Sequence, residues 1–166
     1  MALTQTTQLV DGFDRGISYL RLSVTDRCDF RCQYCMAETM HFLPRSEVLT
    51  IEELLRTARL FTELGVRKIR VTGGEPLIRR GIDELFDGLG ALPGLETLAL
   101  TTNGSHLAES AQMLRESGVN SINISLDSLE PARFKAITRI GDLETVLGGI
   151  DQAIACGFER IRLNAV

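Results

Sequence analysis

The sequence predicts an α/β fold of parallel strands, an incomplete βα barrel. Three observations carry this. A unit of helix, glycine and strand recurs at Gly65, Gly94, Gly118 and Gly157, each glycine following a stretch able to be helical and preceding an alternating run. Every candidate strand has one apolar face and one polar, small or cationic face. The segments able to carry chemistry fall at successive strand ends.

The elements follow in order. Ser18–Val24 alternates as a strand, with Leu20, Leu22 and Val24 opposite Tyr19, Arg21 and Ser23. A helix is expected over Ile51–Leu64. Thr50 caps it, Glu53 stands at the capping-box position, and Leu54, Leu55, Ala58, Phe61 and Leu64 recur at helical spacing before Gly65 stops it. Further helices are expected at Ile82–Leu89, His106–Ser117, Pro131–Ile137 and Leu143–Cys156. Further strands are expected at Lys68–Val71, Thr97–Leu100, Ser121–Ser125 and Ile161–Ala165.

The strand faces say how the sheet is covered. Parallel strands buried on both faces are almost continuously apolar, and a packed barrel interior holds bulky branched residues. Here Lys68 and Arg70 oppose Ile69 and Val71, Ser121 and Asn123 oppose Ile122 and Ile124, and Arg160 and Arg162 oppose Ile161 and Leu163. Helices then cover the apolar face, and the polar face lines an open cavity. An antiparallel sheet with one wet face is the alternative; the intervening helices argue against it.

With 166 residues the chain has room for one domain, read as residues 17–166 with an N-terminal extension over 1–16. A formal net charge of −4 argues against a general nucleic-acid binder, though not against an anionic small molecule. Apolar stretches are short and broken by charges, so no membrane span is expected. Met1–Val10 lacks the pattern of a signal peptide, and the expected location is cytoplasmic. Arg79-Arg80 reads as a solvated turn.

Cys28, Cys32 and Cys35 lie within one short loop after the first strand, whereas Cys156 is distant and reads as a small buried residue near a helix end. Such clustering indicates a metal site in a reducing compartment. Three thiolates can ligate three irons of a 4Fe–4S cluster and leave the fourth iron open to a small molecule. The competing reading is structural zinc with His41 as fourth ligand; otherwise His41 is a loop residue, and His106 a helix-start residue. Thr72-Gly73-Gly74-Glu75-Pro76, Thr101-Thr102-Asn103-Gly104 and Ser125-Leu126-Asp127-Ser128 follow the second, third and fourth strands. Singly each is a turn or a cap. Together they sit at the edge where βα barrels place their sites, and glycines there let backbone approach a ligand.

The spacing C-x-x-x-C-x-x-C, with aromatic Tyr34 before the last cysteine, and the Gly-Gly-Glu-Pro segment resemble the radical S-adenosylmethionine superfamily. The resemblance implies a 4Fe–4S cluster on Cys28, Cys32 and Cys35, and S-adenosylmethionine chelated to its open iron. One electron then cleaves the cofactor to a 5′-deoxyadenosyl radical. Longer stretches, Tyr19–Cys32, Lys68–Leu77, Asn123–Ser128 and Leu163–Val166, resemble the GTP 3′,8-cyclase family of molybdenum-cofactor biosynthesis. That family converts GTP to 3′,8-cyclo-7,8-dihydro-GTP.

By this resemblance Arg21, Arg70 and Thr101 contact GTP, while Tyr34, Gly74, Glu75 and Ser125 contact the cofactor. Lys68 shares the face of Arg70. Arg162 stands where the family commonly has lysine, and Ala37 where many members have proline. The resemblance further implies an electron donor and a downstream partner, cyclic pyranopterin monophosphate synthase. It also implies a second 4Fe–4S cluster, carried by a C-terminal region with three more cysteines. The sequence is expected to cover about the first half of such an enzyme, five of six barrel strands, and not to complete cyclisation alone. Two other functions remain at this point: a different radical S-adenosylmethionine enzyme, or a zinc-stabilised binding module.

Overall fold

In a computed structural model, which describes residues 8–37 and 39–166, strands and helices alternate along the chain, except that two helices stand between the last two strands. The strands are β1 (Tyr19–Ser23), β2 (Lys68–Thr72), β3 (Thr97–Thr102), β4 (Ser121–Ser125) and β5 (Arg160–Asn164). The helices are α1 (Ile51–Glu63), α2 (Ile82–Gly90), α3 (Leu107–Glu116), α4 (Pro131–Thr138) and α5 (Leu143–Ala155). Short 3-10 turns lie at Arg45–Glu47 and Pro76–Ile78.

Local chemistry explains the boundaries. Thr50 and Glu53 form the capping box: the Glu53 N–H donates to Thr50 Oγ1 at 3.2 Å and the Thr50 N–H to Glu53 Oε2 at 2.8 Å. At the other end of α1, Gly65 takes φ 101°. The Gly65 and Val66 N–H groups then reach back to the Thr62 and Phe61 carbonyls at 3.1 and 2.9 Å. This pair satisfies carbonyls that a helix end leaves bare. Gly118 closes α3 in the same manner, onto Arg115 and Leu114. Gly94 differs from expectation. It lies beyond the cap of α2 at Ala91, in the turn into β3, because Pro93 intervenes and cannot extend a helix.

All four strand pairs are parallel, in the order β1-β2-β3-β4-β5. The antiparallel alternative is thereby excluded. Right-handed crossovers that always step in one direction leave their helices on one face of the sheet. Leu22, Ile69, Val71, Leu98, Leu100, Ile122 and Ile124 are buried there. They form one core with Leu54 and Ala58 of α1, Leu85 and Phe86 of α2, Leu107 and Leu114 of α3, and Val146 of α5. Each fully buried large side chain contributes on the order of 1.5–3 kcal/mol.

The opposite face is ordered into rows by the register. Tyr19, Lys68 and Thr97 share the first row. Arg21, Arg70, Ala99, Ser121 and Arg160 share the next. Ser23 pairs with Thr72, and Thr101, Asn123 and Arg162 align beside them. β5 begins one residue earlier than expected because Arg160 pairs with Ser121.

The N-terminal extension over 1–16 lies outside the described residues as far as residue 7; beyond it, Val10 bridges Gly16, and the Leu9 N–H donates to Leu64 at 3.1 Å. Arg79 is not a solvated turn residue. Its guanidinium donates to the Val24 and Leu49 carbonyls and ties the start of α2 to the loop after β1, and burial lowers its pKa. Arg80 is exposed, as expected.

Candidate active site

The cysteine loop leaves the C-terminal end of β1. Its anchor is Phe30, which is buried and packs edge-on against Phe134 of α4, with ring centroids 6.1 Å apart. The last turn of α4 presents carbonyls without helical partners. The loop supplies them: the Arg31 N–H donates to Thr138 at 3.1 Å, the Gln33 N–H to Ile137 at 3.0 Å, and Gln33 Nε2 to Ala136 at 2.8 Å. Arg31 also folds back onto the Cys28 and Phe30 carbonyls at 2.6 and 2.8 Å. Phe42 lies between Arg27 and Arg31, each 5.5 Å from its ring centroid. Arg139 donates to Met36 at 3.4 Å and holds the far end of the loop.

This frame holds three free thiols. Cys28 and Cys32 are half-buried and Cys35 is exposed. Burial pushes the Cys28 thiol up to about 11 and raises Cys32 as well, so metal binding would release protons. Cys28 Sγ faces two N–H donors, the Phe30 backbone at 3.4 Å and Asn103 Nδ2 at 3.8 Å. Among the described residues, no three His, Cys, Asp or Glu side chains converge as a single metal ion requires, and His41 is exposed. The geometry therefore does not assemble the zinc site with His41. An all-thiolate set on separate irons need not converge on one point, so these residues fit an iron–sulfur cluster.

Gly73 and Gly74 lie against the same loop. The Gly74 N–H donates to the Thr25 carbonyl at 2.7 Å and the Glu75 N–H to Arg27 at 2.8 Å. A Cβ on Gly74 would stand 2.2 Å from the Arg27 carbonyl oxygen. Thus close packing on the cysteine loop, rather than approach to a ligand alone, requires glycine here. Glu75 is completely buried. Its carboxylate accepts from Leu77 N at 3.0 Å, Thr102 Oγ1 at 2.9 Å and Asn103 N at 2.7 Å. Burial pushes its pKa up to about 7 despite those donors. The Glu75 carboxylate therefore joins the ends of β2 and β3.

Asn103 continues the chain of contacts. Its Nδ2 donates to Asp29 Oδ1 at 2.7 Å, and its Oδ1 accepts from Ser105 N at 2.9 Å and Ser105 Oγ at 2.7 Å. His106, the residue capping α3, lies between Asp29, 3.5 Å away, and Glu109. On the other side of the loop the Tyr34 hydroxyl donates to Asp127 Oδ2 at 2.9 Å, while Asp127 Oδ1 accepts from Val166 N at 3.0 Å. Burial and then Asp127 raise the Tyr34 pKa. Ser125 is half-buried at the end of β4.

The open face carries the cationic residues. Arg70 is buried, its Nη1 donating to the Leu100 carbonyl at 3.1 Å and Thr101 Oγ1 at 3.2 Å. Arg21 is its register neighbour and is exposed. Lys68 Nζ sits 5.1 Å over the Tyr19 ring, and Arg162 is exposed on β5. Asn123, between Thr101 and Arg162, has a buried Oδ1 without a hydrogen-bond partner.

The structure thus gathers Cys28, Cys32, Cys35, Tyr34, Gly74 and Ser125 at the strand ends, with Arg21, Arg70, Thr101, Lys68 and Arg162 on the adjoining open face. Sequence reasoning gave no individual role to Phe30, Asn103 or Asp127, although the last two lie in the strand-end segments. A cavity of about 690 Å³ lies elsewhere, between the 43–52 segment and the start of α2; it shares Thr25, Asp26 and Arg27 with the loop and none of the cysteines. Cys156 caps α5, half-buried against the core and Gln112. No helix among the described residues is long and apolar enough to cross a membrane.

A GTP 3′,8-cyclase of Pseudomonas entomophila is 62% identical over 158 residues, 95% of this chain and 47% of that protein. GTP 3′,8-cyclase 1 of Pseudomonas aeruginosa is 62% identical over 160 residues, 96% of this chain and 49% of that protein. The chain therefore spans about half the length of the curated relatives it matches. Among solved structures, Streptococcus suis SuiB bound to precursor peptide SuiA aligns over 89% of this chain and 32% of its own, with TM-score 0.75 and 20% identity. Methylornithine synthase (PylB) aligns over 89% and 44%, with TM-score 0.71 and 16% identity. These two likenesses are of fold. The profile of the Radical SAM superfamily matches residues 22–166, and the chain belongs to that superfamily.

Proposed function

We propose that this chain is the cofactor-cleaving and GTP-binding portion of a GTP 3′,8-cyclase, acting at the first step of molybdenum-cofactor biosynthesis. The observation that carries the reading is the 62% identity to curated GTP 3′,8-cyclases across 95% of the chain. Cys28, Cys32 and Cys35 would hold a 4Fe–4S cluster. When bound, that cluster supplies the electron that splits S-adenosylmethionine.

The remaining work falls to the polypeptide. Tyr34, the Gly74 backbone and Ser125 border the cofactor. Glu75 acts by position, holding the strand ends through its buried carboxylate. Arg21, Arg70, Lys68 and Arg162 neutralise a triphosphate, with guanidinium groups giving planar bidentate contacts to oxyanions. Thr101 orients Arg70 through their 3.2 Å hydrogen bond. An electron donor and transfer of product to cyclic pyranopterin monophosphate synthase belong to the same reading, as does a cytoplasmic setting. The second cluster and full cyclisation belong to a region outside this match.

Calorimetric titration of GTP into the anaerobically reconstituted protein tests the substrate. Binding is expected, weakened about tenfold or more by Arg21→Ala with the iron content unchanged. Cofactor cleavage without any GTP binding would assign the chain to a different radical S-adenosylmethionine enzyme.

A further inference from the structure

We infer that Asn103 is a positioning residue that raises the reduction potential of the cluster by donating a hydrogen bond to the Cys28 sulfur. The inference rests on the reading of Cys28 as a cluster ligand.

The amide has two hydrogens and one oxygen to place. Its Nδ2 lies 2.7 Å from Asp29 Oδ1 and 3.8 Å from Cys28 Sγ, so one hydrogen serves each. Its Oδ1 receives two donors from Ser105, at 2.9 and 2.7 Å. Flipping the amide would set its oxygen against a carboxylate and its NH₂ against an N–H. Hydrogen-bond chemistry therefore fixes the orientation. The backbone is fixed too, because Asn103 N donates to the buried Glu75 at 2.7 Å.

The electrostatic consequence follows from charge. Reduction by an external one-electron donor increases the negative charge on the ligand sulfurs. An N–H aimed at one of them stabilises the reduced state more than the oxidised state, and so raises the potential. Asp29, next in sequence to Cys28, pushes the potential the other way. The Asn103 amide engages both groups and offsets that effect.

The test is a redox titration of the reconstituted protein followed by the paramagnetic signal of the reduced cluster. Asn103→Leu keeps the heavy-atom branching of the side chain and removes both amide hydrogens. It is expected to retain iron and sulfide and to move the midpoint to more negative values. A tenfold change in the oxidised-to-reduced ratio at fixed potential corresponds to about 59 mV for one electron. A full cluster with an unmoved midpoint overturns the inference. Should Asn103→Leu fail to take up iron, Ser105→Ala decides: it loosens the amide oxygen and is expected to shift the midpoint the same way by less, and an unmoved midpoint overturns the inference. An unaltered protein that takes up no cluster removes the ligand reading itself.

Discussion

Glu75 at the end of β2 holds Asn103 at the end of β3: its Oε2 accepts the Asn103 backbone N–H at 2.7 Å, from a position sealed off from water. Its other oxygen takes the Thr102 hydroxyl and the Leu77 N–H. A carboxylate out of contact with solvent thus joins two strand ends, one of which carries an amide directed at Cys28.

This arrangement sets a pH dependence. Burial raises the Glu75 pKa from 4.5 to about 7 in the folded protein. Between those values the folded chain binds more protons than the unfolded chain. Stability is then fullest below pH 4.5, as far as this group is concerned, and declines as pH rises through about 7. Urea unfolding of the metal-free chain at pH 5 and pH 8 checks it. Glu75→Gln is expected to flatten the difference, while costing about 1–3 kcal/mol because its NH₂ faces buried donors. An equal pH dependence in both proteins would contradict the assignment.

Gly74 has no room for a side chain. A Cβ there meets the Arg27 carbonyl oxygen at 2.2 Å, and backbone must move. Gly74→Ala is expected to cost about 1–3 kcal/mol through overpacking and to displace the cysteine loop. Iron uptake should fall along with the melting temperature. Normal iron content in a stable Gly74→Ala protein would rule this out.

Phe30 anchors the loop on α4. Phe30→Ala is expected to cost about 3–5 kcal/mol, in line with large aromatic truncations in cores, and to impair cluster retention. A loss below about 1 kcal/mol in denaturant unfolding would show that the carbonyl contacts of α4 suffice without the ring.

Cys32→Ser replaces a proposed ligand in the middle of the loop. It should abolish both the iron–sulfur absorbance and 5′-deoxyadenosine formation while leaving the fold, measured by circular dichroism, near its original state. Retained cleavage would refute the ligand assignment.

Much of the fold was legible because it is written in short-range chemistry. The Thr50–Glu53 box and the Gly65 ending lie within five residues of their partners, and alternation in β1 to β5 separates the covered face from the open one. The cysteine loop was legible from its spacing. The parts that were not legible depend on distant partners. Asn103 meets Asp29 across 74 residues and Gln33 meets Ala136 across 103. Arg79 reaches Val24 across 55 residues, which no local pattern of an Arg-Arg pair announces. Glu75 belonged by pattern to a cofactor-contacting segment, but its burial follows only from the meeting of β2 and β3. Gly94 shared a repeated pattern with Gly65, yet Pro93 gave it a different place.

The central claim is that three thiols on one loop hold a cluster that cleaves S-adenosylmethionine. Its most direct test is iron, sulfide and zinc analysis after anaerobic reconstitution, with 5′-deoxyadenosine measured on the same sample after reductant and S-adenosylmethionine are added. The account predicts iron and sulfide near one four-iron cluster per chain and deoxyadenosine formed. A folded protein that holds zinc, lacks sulfide and forms no deoxyadenosine would contradict it.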